Sequence, residues 1–137
     1  MKLKGMFAAA ILAALLFAGT AGAKAQSSPN SIAYVGRDVA ILRTTAGYPS
    51  VLSRINRFYE RMVDTFTDFH GTMRRSDFHI VALPNGERNI MARNRLILTV
   101  TNADARSYRT STSELARRWL RGFAATLPQA QPMPSAF

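Results

Sequence analysis

Four residues with side chains able to ligate a metal or move protons fall close together: Asp68, His70, Asp77 and His79. Their spacing matches no established zinc pattern, and they straddle an irregular loop and the start of a strand. His79 alternates with Phe78 and Ile80, which places it on the solvent side of a sheet. No metal site is assigned to them. A cysteine nucleophile is excluded because the chain has no cysteine. A serine nucleophile would want a strained elbow such as G-x-S-x-G, and none occurs. No catalytic residue is assigned and no cofactor is implied, so the chain is read as a non-enzyme.

Arginine supplies most of the remaining chemistry. Arg74-Arg75 forms one doublet, Arg88, Arg93 and Arg95 mark the turns, and Arg106, Arg109, Arg117, Arg118 and Arg121 surround the last helix. By helical geometry Arg117, Arg118 and Arg121 fall within ~100° of arc on that helix's polar face. Glu114 projects among them and can pair with Arg117 or Arg118. These five arginines are the candidate anion-binding residues, because the planar guanidinium matches phosphate and carboxylate oxygens two at a time. A plain solvated basic face is the alternative reading of the same residues.

The elements that position these residues follow from hydrophobic period. Val39 to Arg43 reads as a short buried strand, and Ala46-Gly47-Tyr48-Pro49 breaks the chain. Val51, Leu52, Ile55, Phe58, Tyr59, Met62, Val63 and Phe66 then keep helical spacing, with Ser50 as N-cap. Arg54, Arg57, Glu60, Arg61 and Asp64 fall on the other side and read as a solvated face. Phe78 to Leu83, Arg88 to Ala92 and Leu96 to Val100 are three further strands, joined by Pro84-Asn85-Gly86 and Arg93-Asn94-Arg95. Thr101 with Asp104, and Ser111 with Glu114, match the S/T-x-x-acid capping pattern. The first pair opens a single helical turn over Asn102 to Ser107. The second opens a helix striped by Leu115, Ala116, Trp119, Leu120, Phe123, Ala124 and Leu127. Trp119 is read as a core anchor, and Thr101, Asp104, Ser111 and Glu114 as structural capping residues.

The order strand-helix-strand-strand-strand-helix predicts an α+β fold. Its economical form is a two-layer sandwich with two helices packed on one face of a four-stranded sheet. The domain occupies 35–127, between a polar linker at 26–34 and a proline-rich, disordered tail at 128–137.

Ahead of these lies Lys2, Lys4 and an unbroken apolar run from Met6 to Ala18, followed by Ala21-Gly22-Ala23 and Ala23-Lys24-Ala25. A charged start, a short apolar core and A-x-A exits have the layout of a signal peptide over 1–25. A spanning helix wants ~20 apolar residues, more than this run supplies; a retained N-terminal anchor is the alternative. Cleavage would remove all three lysines and leave 15 arginines against 8 acids, a net charge of +7 in place of +10. The expected destination is the periplasm or the medium. A cysteine-free exported domain has no disulfide and depends on its apolar core. No nucleic-acid-binding motif is present, so nucleic acid is not an expected partner.

Leu98-Thr99-Val100-Thr101-Asn102-Ala103-Asp104-Ala105, then Thr110-Ser111, Glu114-Leu115-Ala116 and Trp119, resemble L-T-V-T-x-x-D-A followed by T-S-x-x-E-L-A-x-x-W. The pattern is similar to the extracytoplasmic N-terminal domain of cyanobacterial mechanosensitive-channel-like proteins and related stand-alone exported proteins. Asn56-Arg57 on the first helix and the Asn85-Gly86 turn sit in compatible order, so the resemblance covers roughly Val39 to Leu127. It implies a small exported α/β module, noncatalytic, with a sensory or accessory role beside a membrane protein. No pore-forming helices follow, so channel activity does not carry over. The alternatives are a peripheral envelope protein that binds anionic lipid or polymer through the arginines, and a small hydrolase or metalloprotein.

Overall fold

The computed structural model describes residues 28–34 and 36–129. The expected signal peptide, and all of the expected tail beyond residue 129, lie outside the described residues. Among the described residues, five strands and three helices follow in the order β1 (Ser31–Tyr34), β2 (Arg37–Ile41), α1 (Val51–Asp68), β3 (Phe78–Ala82), β4 (Arg88–Ala92), β5 (Arg95–Val100), α2 (Asn102–Ser107) and α3 (Thr112–Thr126). Short 3-10 turns cover Arg75–Asp77 and Leu127–Gln129.

The fold class is α+β, and the single four-stranded sheet is corrected to two smaller antiparallel ones. β1 pairs with β2, and β3, β4 and β5 form a separate meander. The strand expected at Val39 to Arg43 finds its partner in Ser31–Tyr34, inside the stretch expected to be a polar linker. That stretch pairs Ile32 with Ala40 and buries Ile32 completely. The outer edge of β5 is not open to a fourth strand. α1 packs beside it, and Arg54 of α1 donates to the carbonyl of Thr99 on that strand at 2.9 Å.

Local chemistry accounts for the helix starts. Ser50 accepts from the backbone N–H of Ser53 at 3.0 Å, and Ser53 Oγ accepts in return from the Ser50 N–H. At the other reversal Gly86 takes φ 87° and donates its N–H to the Leu83 carbonyl, with Pro84 and Asn85 between them. The tip of this β3–β4 connection is tied down from two helix starts: Thr112 Oγ1 donates to Gly86 O at 2.6 Å, and Asn102 Nδ2 to Asn85 O at 3.2 Å.

The core gathers Ile55, Phe58 and Met62 from α1, Ile90, Ile97, Leu98 and Val100 from the meander, and Leu115, Trp119 and Phe123 from α3. Phe58 stacks on Phe123 with ring centroids 5.3 Å apart, which locks the two long helices together. α3 contacts strands of both sheets, and α1 does the same, packing beside β5 and setting Phe58 and Tyr59 against Tyr34 of β1. At Gly122 a β-carbon would lie 2.8 Å from Val39 Cγ1 and 3.1 Å from the Val39 carbonyl oxygen, so the helix meets β2 where its side chain is missing. The stripe read along α1 is wider than the core it covers: Leu52 and Val63, on its margin, are 61% and 65% exposed.

Candidate functional site: a buried ion pair and an arginine face

Thr101, between β5 and α2, is the N-cap of α2 in extended conformation, so its side chain and that of Asp104 meet across one turn. Thr101 Oγ1 accepts from the Asp104 N–H at 3.1 Å, and Asp104 Oδ2 accepts from the Thr101 N–H at 3.0 Å. This is the reciprocal capping box that the T-x-x-D spacing implies. Asp104 does more than cap. It is 1% exposed, and it takes both ends of the Arg54 guanidinium, Nη1 to Oδ1 at 2.8 Å and Nη2 to Oδ2 at 2.6 Å. Thr44 Oγ1 donates a further hydrogen bond to Oδ1 at 2.6 Å.

The expectation for Arg54 is therefore corrected. Grouped by spacing with the solvated face of its helix, it is 2% exposed and buried. Its remaining hydrogen bonds go to the carbonyls of Thr44 at 3.0 Å and Thr99 at 2.9 Å and to the Thr44 hydroxyl oxygen at 3.3 Å. One side chain thus joins α1, the loop before it, β5 at Thr99 and the start of α2. A buried charge needs this degree of satisfaction, because an uncompensated one is strongly unfavourable. Burial by itself would raise the pKa of Asp104. The hydrogen bonds from Arg54, Thr44 and Thr101, with the Arg54 charge, outweigh it and hold the carboxyl below its ordinary value. Among the described residues no buried side-chain nitrogen or oxygen lacks a partner.

Ser111 caps α3 by accepting from the Glu114 N–H at 3.1 Å. Glu114 does not close a box in return, and its carboxylate turns to Arg117 at 3.4 Å. Arg106, Arg109, Arg117, Arg118 and Arg121 are all exposed. Of these five, Arg117 has the one ion pair found among the described residues. Arg109 adopts φ 52° in the turn between α2 and α3. Arg118 borders a shallow groove with Asp38 and Ile41 of β2 and Tyr108. Next to it Arg43 lies over the Tyr108 ring, 3.9 Å from the centroid, and donates to Ser107 O at 3.0 Å. The Tyr108 hydroxyl is spent on the Ile41 carbonyl at 2.6 Å, and its ring meets Trp119 edge-on. Trp119 is 3% exposed and packs in the core.

The structure does not assemble Asp68, His70, Asp77 and His79 into one site. Asp77 pairs with Arg93 at 3.1 Å, and Asp68 pairs with Arg95. The hydrogen bond from Arg93, with one from the Arg74 backbone, holds the Asp77 carboxyl below its usual range. His70 and His79 are exposed. No group of three or more His, Asp or Glu side chains is placed to hold a metal among the described residues. No helix among them is long and apolar enough to cross a membrane.

Fold and site together define a small cysteine-free α+β domain that spends its buried charge on its own architecture. The chain belongs to the family described as Domain of unknown function (DUF8459), which matches residues 32–130. The match begins inside β1 and therefore takes in both sheets and all three helices. No curated protein and no solved structure matches the chain.

Proposed function

We propose that this protein is a noncatalytic, exported module of the cell envelope that binds an anionic envelope surface through its arginine face. The observation that carries the reading is the division of its charge. Arg54 and Asp104 neutralise one another inside, while Arg106, Arg109, Arg118 and Arg121 stand exposed and outside any ion pair among the described residues. Glu114 is the one acid between Arg106 and Arg121 in sequence. Such a surface draws phosphate-bearing lipid headgroups and polyanions by long-range attraction, and guanidinium groups then hold phosphate oxygens bidentately.

The leader-like segment 1–25 supports export. The likeness of Leu98 to Trp119 to the extracytoplasmic domain of mechanosensitive-channel-like proteins supports an accessory or sensory role beside a membrane protein. On this reading the arginine face holds the domain at the membrane surface, where such a partner would sit.

Co-sedimentation with vesicles tests it. The protein should pellet with phosphatidylglycerol-containing vesicles and stay in solution with pure phosphatidylcholine. The variant Arg117→Gln/Arg118→Gln/Arg121→Gln should lose most of that binding with an unchanged melting temperature. Equal binding by wild type and variant would overturn the proposal.

A further inference from the structure

Next to the buried ion pair, bordered by Arg54 and Thr101, lies a cleft of about 200 Å³. It is lined by Ala46 and Tyr48 of the loop before α1, by Leu98 and Thr99 of β5, and by two charged residues, Arg61 of α1 and Glu87. Neither Arg61 nor Glu87 is in an ion pair among the described residues, with each other or with any other group. Glu87 accepts one 3.4 Å contact from the Asn102 N–H, at the long limit of a hydrogen bond. Arg54 also borders the cleft, but its terminal nitrogens are committed to Asp104, Thr44 and Thr99.

The cleft therefore holds one uncommitted cation and one uncommitted carboxylate, with no net charge between them. A simple anion drawn to Arg61 would meet Glu87, and a simple cation drawn to Glu87 would meet Arg61. A ligand carrying both charges satisfies both. The space is smaller than the ~300–1,000 Å³ of sites for drug-sized molecules, so the ligand has few heavy atoms. Ala46, the Tyr48 ring and Leu98 offer apolar surface for a short side chain.

We infer that this cleft binds a small zwitterion of the α-amino-acid class, its carboxylate on the Arg61 guanidinium and its ammonium on the Glu87 carboxylate. The site shares no residue with the arginine face, so it stands or falls independently of surface binding.

The test is a titration of the ¹⁵N-labelled full-length chain with glycine, L-alanine and L-leucine, alongside acetate and methylammonium as the two separated half-charges. At least one amino acid should shift the amides of Tyr48, Glu87, Thr99 and Thr101 saturably. Acetate and methylammonium should bind at least about tenfold more weakly. Arg61→Gln and Glu87→Gln should each weaken the amino acid about tenfold or more, the loss of a charge-assisted hydrogen bond, and Arg61→Lys should recover part of it. The isosteric Glu87→Gln serves as the deciding variant if Arg61→Gln lowers the melting temperature. Absence of saturable shifts with all three amino acids would overturn the inference. So would acetate binding as tightly as the best of them, or undiminished binding by Glu87→Gln.

Discussion

Arg54 and Asp104 form the one fully buried ion pair among the described residues, and each neutralises the other. Removing one partner leaves a charge in a site that cannot solvate it, at a cost of about 3–5 kcal/mol. Arg54→Met and Asp104→Leu should each lower stability by that order in urea titration, and the double variant should lose less than the sum. Protonation acts in the same way. The Asp104 carboxyl is held low in the folded state, so the folded chain binds fewer protons than the unfolded one. Its contribution is present above the unfolded value of ~3.9 and is lost as pH falls through that value toward the lower folded one. Asp77, held low by Arg93 and the Arg74 backbone, adds to the same slope. Melting temperature should fall steeply on acidification below about pH 4, and Asp104→Asn should flatten that dependence. Of this pair, only the capping half is legible in the sequence. Thr101 and Asp104 lie three residues apart, within the reach of a local motif. Arg54 lies 50 residues from Asp104, and its spacing to Arg57 and Arg61 describes its own helix alone. The available hint is its place beside Ile55 and one turn from Val51 and Phe58, at the border of the apolar stripe.

Elements with their own local signals are read closely from sequence. α2 spans Asn102–Ser107 and β4 spans Arg88–Ala92, as their caps and turns predict. Pairing between elements is another matter. β1 is a four-residue strand with a single fully buried apolar residue, Ile32, so it has too short a period to stand out from a connector. Nor does any strand pattern reveal that α1 occupies the edge of β5. The contact between α3 and β2 gives the sharpest element-scale prediction. Gly122→Ala gains about 1 kcal/mol of helix propensity, yet it drives a methyl against the Val39 side chain and backbone. Overpacking of that kind costs about 1–3 kcal/mol, so the variant should unfold at lower urea. A gain in stability would mean that α3 and β2 separate easily. Ser50→Ala, which removes the cap of α1, should cost about 1 kcal/mol by the same measurement.

At the scale of the whole molecule, the excess of arginine over acid survives folding as an exposed charge. Five arginines of α2, α3 and the turn between them face solvent, with Glu114 the one acid amid their sequence. The sequence displays this count plainly, because charge is additive and needs no tertiary partner. It does not display which arginines are consumed inside, and Arg54 shows how that alters the surface. The proposed role in the envelope depends on the arginines that remain outside. If attraction to an anionic surface is that role, it must weaken as the screening length falls from ~10 Å at 0.1 M salt to ~3 Å at 1 M. The most direct test is co-sedimentation of the full chain with phosphatidylglycerol vesicles across that range of salt. Binding should be strong at the low end and largely abolished at the high end. Binding unchanged across the range, or absent at low salt, would contradict the account.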